Sequence, residues 1–242
     1  LAQMTLAEKA GLMFAAFAAF PGMPLDPAGD LRQTLAGDMV TRLLMNQFNY
    51  PNISDTRTAA AWTNAMQTLA ENTRLGIPLT FVSDPRHAFS KSSANMAVAM
   101  DAGGFSKWPE PIGLAAIGDA DTAREFGDIA RQEYVAIGIR VAYHPMADLA
   151  TEPRWARING TFGEDAALSA KLVGAYIRGF QGDTLGAHSV ACMTKHFPGG
   201  GPQKDGEDPH FPYGKEQIYP GDNFNYHLLP FEAAFDAGTA QI

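Results

Sequence analysis

Long segments with helical periodicity alternate with short apolar runs along most of this chain, and no other feature constrains the fold as strongly. Helices are predicted over residues 5–20, 57–74, 121–137, 164–180 and 228–237. Buried strands are predicted at 79–83 (LTFVS), 139–144 (IRVAYH) and 189–194 (SVACMT), with others near 43–48 and at the terminal TAQI. Repeated strand-then-helix units require crossover connections and therefore predict a parallel sheet.

Polar side chains at the ends of these strands narrow the choice of sheet. Asp84, His144, and the neighbours Lys195 and His196 all stand at the end of a predicted strand. No Gly-x-Gly-x-x-Gly follows the first strand, which disfavours a dinucleotide-binding sheet. Enzymes built on a (β/α)8 barrel place their active sites at the carboxyl ends of the strands. We therefore predict an α/β fold of the (β/α)8 barrel type, in one domain over residues 1–242.

Capping residues and glycines set the expected limits of several helices. Thr5 and Glu8 have the spacing of a capping box, which favours a helix over a signal peptide for the apolar first segment. Asp121 is the expected N-cap of its helix. Gly138 is expected to end the same helix, and Gly182 is expected to end the helix over 164–180.

Composition excludes several classes of partner. The chain has 242 residues, of which 46% are hydrophobic, so it can bury a substantial core. It carries 26 acidic and 18 basic residues and no basic cluster, which argues against a nucleic-acid partner. No apolar run reaches membrane-spanning length, so no membrane partner is expected. The single cysteine, Cys192, lies in an apolar run and is expected to be buried.

Asp84, Lys195 and His196 are the first candidate site residues. An ionised carboxylate at Asp84 could accept hydrogen bonds from two neighbouring sugar hydroxyls, or it could cap a helix or pair with Arg86. A lysine and a histidine side by side could bind one ligand if the backbone is unusual at that point. Otherwise Lys195 would be exposed to solvent and His196 would be a core residue.

Two arginines occupy the loop TEPRWARINGTFGED. Arg154 or Arg157 could donate a fork of hydrogen bonds to vicinal hydroxyls, or could pair with Glu164 or Asp165. Trp155, which stands between them, could stack on a sugar face, but loop packing is the more common role.

The Gly-, Pro- and Asp-rich segment 198–222 is long for a loop in a compact domain, which is typical of a functional element. It contains Asp205, Glu207, Asp208 and His210, which have the residue types of a metal site. Their spacing matches neither an EF-hand nor a zinc motif, so no metal is expected. The sequence offers no cofactor motif, and we expect no cofactor.

Several segments together resemble family 3 glycoside hydrolases. KHFPGGG at 195–201 is similar to that family's Lys-His-Phe signature, and MTLAEKAGLM at 4–13 is similar to its opening. RLGIPLTFVSDPRH at 74–87 resembles its second barrel strand, which ends in a sugar-binding aspartate. Residues 123–165 resemble the helix, strand and arginine loop that follow. The resemblance covers essentially the whole chain.

The resemblance implies a retaining exo-acting hydrolase, most closely a β-glucosidase that removes β-linked glucose from non-reducing ends with two carboxylates. It matches Asp84, Arg157, Lys195 and His196 to positions that grip sugar hydroxyls in subsite −1. It also implies a cis peptide bond between Lys195 and His196 and another before Pro198.

The same resemblance puts the nucleophile, an aspartate in a Ser-Asp-Trp-like context, on a later strand, and often the acid/base on a second domain. No such stretch occurs in the 242 residues, so no catalytic residue is identified in them. We expect a C-terminal fragment or a further domain to complete the barrel. The sequence does not define the compartment, and the periplasm or the exterior is favoured over the cytoplasm.

Two alternatives remain open. A branch of the family, the β-N-acetylhexosaminidases, uses an Asp-x-His dyad after its Lys-His-Phe motif, and Asp208 with His210 superficially fits. Here the spacing is longer and Pro209 departs from the pattern, so the preferred role of both residues is to organise the loop near the pocket. The other alternative is a sugar-binding fragment without catalysis.

Overall fold

The computed structural model describes residues 1–17, 28–30, 34–50, 53, 55–84, 87–89 and 102–242. Within them, five strands form one sheet in chain order, and every neighbouring pair is parallel. A doubly wound sheet reverses its strand order at a switch point, whereas a barrel adds strands in one direction. The predicted α/β fold of barrel type is therefore confirmed over these strands, which are β1 (Ala15–Phe17), β2 (Gln47–Tyr50), β3 (Thr80–Ser83), β4 (Ile139–Ala142) and β5 (Ala191–Cys192).

Helices precede and follow the strands as a crossover topology requires. The helices over the described ranges are α1 (Leu6–Gly11), α2 (Leu35–Leu43), α3 (Thr56–Glu71), α4 (Pro111–Ile117), α5 (Ala120–Ile137), α6 (Ala166–Gln181) and α7 (Phe224–Asp236). The helices predicted over 57–74, 121–137, 164–180 and 228–237 are present with shifted ends. In this part of the chain, no helix combines the length and the apolar composition that a membrane crossing needs.

The N-terminal segment differs from the single helix predicted over 5–20. Helix α1 ends at Gly11, and Ala15–Phe17 form β1 by parallel pairing with Gln47–Asn49. Residues 18–20 of that prediction lie outside the described part of the chain. Alanine favours a helix locally, but pairing with a neighbouring strand overrides this preference.

Two predicted strands also need correction. The strand predicted near 43–48 begins only at Gln47. Helix α2 precedes it and ends at Leu43, and Leu44 takes a left-handed conformation with φ 50°. The terminal TAQI forms a single parallel bridge, between Gln241 and Met193. Both predictions placed the strand close to its position but missed its limits. For β2 the reason is Leu44, because one residue with positive φ changes the chain direction without a strong sequence signal.

The cap of α5 is Asp119 and not Asp121. The Asp119 side chain accepts a hydrogen bond of 2.9 Å from the Thr122 amide, whereas Asp121 lies in the first turn. Two acids so close together both satisfy the sequence preference, and the backbone entering the helix decides between them. The end signals that are present as predicted are the Thr5–Glu8 capping box and the positive-φ glycines Gly138 and Gly182.

The hydrophobic core lies between the sheet and the helices that cover it. Phe81 of β3 contacts the rings of Tyr50 on β2 and Trp62 on α3 at centroid distances of 5.5 Å and 5.8 Å. Cys192 is fully buried at the end of β5, as expected, and burial raises the pKa of its thiol. A buried neutral thiol there behaves as a small apolar residue.

Helices α5 and α6 approach each other closely at two glycines. A Cβ built on Gly127 would lie 3.0 Å from the Cα of Gly179, and a Cβ on Gly179 would overlap the carbonyl oxygen of Arg124. Backbone atoms cannot move aside as a flexible side chain can, so this crossing requires glycine at both positions.

We expect Gly179→Ala to lower the free energy of unfolding by about 1–3 kcal/mol, because the added methyl group forces α5 and α6 apart. Gly186→Ala is the matched control, since a Cβ at that position meets no atom within 4 Å. Chemical denaturation of both variants measures the difference. Equal stability of the two variants would contradict the close approach of the helices.

Candidate functional site

The carboxyl end of the sheet brings Asp84 and Lys195 together. Asp84 directly follows β3 and Lys195 follows β5, with β4 between them. The Lys195 Nζ lies 2.6 Å from the Asp84 Oδ1, and both side chains are about one-fifth exposed, at 18% and 21%. The pair is therefore shielded by the fold but open to a ligand on one side. Residue Arg86, the other partner considered for Asp84, lies outside the described part of the chain.

His196 lies next to this ion pair. The Lys195–His196 and Phe197–Pro198 peptide bonds are both cis, as the resemblance implied. The His196 Nδ1 lies 2.9 Å from the Asp148 Oδ2, and the His196 amide donates to Asp148 Oδ1 at 3.2 Å. His196 is thus held by a carboxylate at its inner end, while 37% of its side chain remains exposed.

Asp148 is the supporting residue that the sequence reasoning missed. It is fully buried and accepts hydrogen bonds from the His196 amide, from His196 Nδ1 and from the Gly200 amide. Burial by itself would raise the pKa of the Asp148 carboxyl, but the hydrogen bonds from His196 and from the Gly200 amide outweigh it and keep the pKa below its ordinary value. Its sequence signal was only an acid between β4 and the arginine loop.

Arg157 completes the group. Its Nη1 lies 3.3 Å from His196 Nε2. A guanidinium can only donate, so His196 Nε2 accepts and the ring proton lies on Nδ1, toward Asp148. Arg154 instead binds Glu152 at 2.8 Å on the surface. The structure therefore brings Arg157, and not Arg154, to the other candidate residues.

Polar side chains from β2 and from the segment after β4 line the same region. The Asn49 Nδ2 donates to Asp84 Oδ2 at 3.4 Å. The Gln47 Nε2 donates to the Tyr143 hydroxyl at 2.8 Å. Burial and the negative charge of Asp84 raise the pKa of Tyr143. Asn49 therefore adds a neutral hydrogen-bonding group beside Asp84 that the sequence reasoning did not select.

His144 does not belong to the site, although it also follows a strand. Its Nδ1 lies 2.6 Å from the Tyr176 hydroxyl, and its ring packs 4.8 Å from Phe180. It is almost fully buried between the sheet and α6. Successive residues at a strand end point to opposite faces of the sheet. A position at a strand end therefore does not show whether a side chain points to the site or to the covering helices.

Asp208 and Trp155 form a second buried contact beside the arginine loop. The Trp155 Nε1 donates to Asp208 Oδ2 at 2.9 Å, and the His210 Nδ1 lies 2.6 Å from Asp208 Oδ1. Burial would raise the pKa of the Asp208 carboxyl, but the hydrogen bonds from His210 and Trp155 lower it below its ordinary value. Trp155 therefore packs inside the loop and does not present its ring face to a sugar.

The four residues with metal-ligand chemistry in the long loop do not converge. Asp205 lies 3.3 Å from Arg154, whereas Asp208 and His210 bind each other. Among the residues that the structure describes, no group of three or more His, Cys, Asp or Glu side chains has the geometry to hold a metal ion.

The arrangement has the donors and acceptors that suit a polyhydroxylated ligand. Asp84 supplies carboxylate oxygens, while Lys195 and Arg157 supply cationic N–H groups, and His196 adds a ring nitrogen. Each hydroxyl of a sugar both donates and accepts, so such a mixture can satisfy several of them at once.

Known proteins share the sequence pattern and the fold of this chain. The family profile described as the Glycosyl hydrolase family 3 N terminal domain matches residues 5–242. The chain belongs to glycosyl hydrolase family 3. A probable beta-glucosidase C of Aspergillus flavus is 48% identical over 245 residues, covering 100% of this family 3 chain and 38% of the relative. A periplasmic beta-glucosidase/beta-xylosidase of Dickeya chrysanthemi is 45% identical over 246 residues, covering 100% of the chain and 37% of the relative.

A solved structure shows the same architecture. The family 3 chain matches a glycoside hydrolase family 3 beta-N-acetylglucosaminidase from Paenibacillus with a TM-score of 0.78 and 25% identity, covering 98% of this chain and 41% of that one. The family 3 chain thus spans well under half of the length of these relatives.

Proposed function

We propose that this chain forms the sugar-binding part of a retaining exo-acting β-glucosidase. Asp84, Lys195, His196 and Arg157 hold the terminal glucose of a β-glucoside in subsite −1. The observation that carries the proposal is the continuous series of contacts from Asp84 through Lys195 and His196 to Arg157 at the carboxyl end of the sheet. The 48% identical relative is named a probable beta-glucosidase and the 45% identical relative a beta-glucosidase/beta-xylosidase, and the name that they share supports glucose as the sugar.

The binding residues act on the ground state and on the transition state of the reaction. The Asp84 carboxylate accepts from two adjacent hydroxyls, and the Lys195 Nζ, 2.6 Å from its Oδ1, holds it in place. Arg157 and His196 orient the other hydroxyls, so that the anomeric carbon takes one fixed position. Hydrogen bonds to sugar hydroxyls that strengthen in an oxocarbenium-like transition state contribute directly to the rate.

We place the nucleophile and the acid/base outside residues 1–242. The two carboxylates at the site are already engaged, which supports this placement. Asp148 accepts three hydrogen bonds from N–H groups, and Asp84 is paired with Lys195. A further domain or a C-terminal fragment would supply both catalytic groups and complete the barrel. The full-length protein is therefore the form to assay, with a chromogenic β-glucoside as substrate and glucose release as the measurement.

One observation favours a second candidate, a β-N-acetylhexosaminidase. The Asp208–His210 contact of 2.6 Å has the form of a catalytic dyad, with the aspartate buried and 53% of the histidine side chain exposed. The structural match to a beta-N-acetylglucosaminidase agrees with it. The departures in spacing and at Pro209 count against it.

We expect the full-length protein to hydrolyse a chromogenic β-glucoside at least about 100-fold faster, in kcat/KM, than the matching N-acetyl-β-glucosaminide. A pocket shaped for a hydroxyl rejects a larger acetamido group by a steric clash. His188→Ala, which changes another exposed histidine, serves as the control for His210→Ala. Faster hydrolysis of the N-acetyl-β-glucosaminide would favour the second candidate. If His210→Ala abolishes that activity and His188→Ala does not, the second candidate is established.

We place the protein in the periplasm or outside the cell. The Dickeya chrysanthemi relative is named as periplasmic, which supports this assignment. Fractionation of the native host, with immunodetection of the full-length protein, tests it. Recovery with cytoplasmic markers would contradict it.

A further inference from the structure

Residues 202–218 form a closed hairpin beside the sugar-binding residues. Its two sides pair through an antiparallel bridge between Gln203 and Gln217. The Gln217 Nε2 donates to the Gly199 carbonyl at 2.9 Å, and the Gln203 Nε2 donates to the Gly200 carbonyl at 2.6 Å. The 202–218 hairpin is therefore attached to the glycines that follow the Lys-His-Phe motif.

Asp208 is the buried carboxylate of this hairpin. Only 6% of the residue is exposed, and it accepts hydrogen bonds from the Trp155 Nε1 at 2.9 Å and the His210 amide at 3.0 Å. Trp155 itself is 2% exposed. An indole N–H in such a place is costly to leave unpaired, so Asp208 determines how the indole ring is oriented.

The Trp155 ring in turn contacts the arginine of the sugar site. The Arg157 Cζ lies 6.0 Å from the Trp155 ring centroid. The ring also lies next to Gly200, where an added Cβ would be 3.8 Å from the Trp155 Cζ2. The same guanidinium reaches His196 Nε2 at 3.3 Å. A long arginine side chain has many rotamers, and a fixed aromatic face beside it restricts them.

We propose that Asp208 is a positioning residue for the sugar site, acting through Trp155 on Arg157. The inference rests on the proposed function, because it assumes that Arg157 binds a substrate hydroxyl. Asp208 touches no reacting atom in this role. Its contribution exists only while Arg157 is present, which separates it from a general effect on the stability of the hairpin.

A double-mutant cycle in the full-length protein tests the inference. We expect Asp208→Ala to lower kcat/KM for a chromogenic β-glucoside by about 10- to 100-fold, through misplacement of the guanidinium. In an Arg157→Ala background the same change should cost less than about threefold, since the group that it positions is gone. Glu207→Ala, which removes an exposed carboxylate from the same hairpin, is the control.

Trp155→Phe provides a second route to the same test, because it keeps a ring beside Arg157 but removes the N–H that Asp208 accepts. It should reproduce part of the Asp208→Ala loss, again only when Arg157 is present. If Asp208→Ala does not fold, the Trp155→Phe cycle decides. Two results would overturn the inference. One is a loss from Asp208→Ala or Trp155→Phe that multiplies with the loss from Arg157→Ala, and the other is activity of the Asp208→Ala variant within about threefold of the wild type.

The dissociation constant for glucose separates this inference from the proposed function. Calorimetry on the same variants should show the same non-additive pattern without any turnover. A wild type that binds glucose but hydrolyses no β-glucoside contradicts the proposed function, while the cycle in the dissociation constant still tests Asp208. A wild type that neither binds glucose nor hydrolyses β-glucosides overturns both.

Discussion

Asp84→Ala is expected to lower kcat/KM for a chromogenic β-glucoside by about 10³- to 10⁴-fold in the full-length protein. The change removes the carboxylate that we propose to accept sugar hydroxyls, and it leaves the Lys195 ammonium without that partner, at 18% exposure. Substrate hydroxyls that would bond this carboxylate are left without an acceptor, so the loss falls on the substrate complex and on the transition state together. Steady-state kinetics with initial rates at several substrate concentrations measure it.

Asp183→Ala is the matched control for this experiment. Asp183 lies between α6 and β5, at the opposite end of the sheet, where 81% of its side chain is exposed and it pairs with Arg124. Removing one exposed carboxylate there should leave kcat/KM unchanged within about twofold, since exposed ion pairs contribute little. If Asp84→Ala is as active as Asp183→Ala, the assigned sugar site is wrong.

Asp148→Ala is expected to have the largest effect on stability, with a loss of about 3–5 kcal/mol in the free energy of unfolding. Three N–H donors, on His196 and Gly200, lose their shared acceptor inside the protein. His196 also loses the group that fixes its tautomer, so activity should fall with stability. Denaturant titration of the variant and of Asp183→Ala, again the control, measures the difference.

The stability that Asp148 supplies should depend on pH in a defined direction. Its folded-state pKa is lower than the ordinary value near 4, so its contribution is complete above that pH and is lost as the pH falls through the folded value. We therefore expect the gap in stability between wild type and Asp148→Asn to shrink as the pH is lowered below about 4. A gap that grows on acidification would contradict the lowered pKa of Asp148.

The sequence predicted secondary structure well where an apolar pattern repeated over several helical turns. It failed where a segment became a strand only by pairing with its neighbour. The helices α3, α5 and α6 were predicted within a few residues, because their apolar faces repeat over four or more turns. Strand β1 was predicted as helix, because its alanines carry no strand preference and it exists through pairing with β2.

The sequence likewise identified some residues of the candidate site and missed others. Asp84, Lys195 and His196 could be selected because each stands at a strand end, and Arg157 because the family resemblance favoured it over Arg154. Asp148 could not be selected, since one acid in a loop between two motifs has no distinguishing pattern. Asp208 was expected to organise its loop, and the structure shows the bond to Trp155 that does so.

By itself, the sequence determined the parallel α/β architecture, the family, and which residues stand at the carboxyl ends of the strands. These follow from local periodicity and from short motifs, which do not need the rest of the fold. Only the tertiary structure decided that Lys195 contacts Asp84, that His144 packs against Tyr176, that Asp148 contacts His196, and that Asp208 accepts a hydrogen bond from Trp155. Those contacts join residues far apart in the chain, and their geometry depends on how the strands and loops are placed relative to one another.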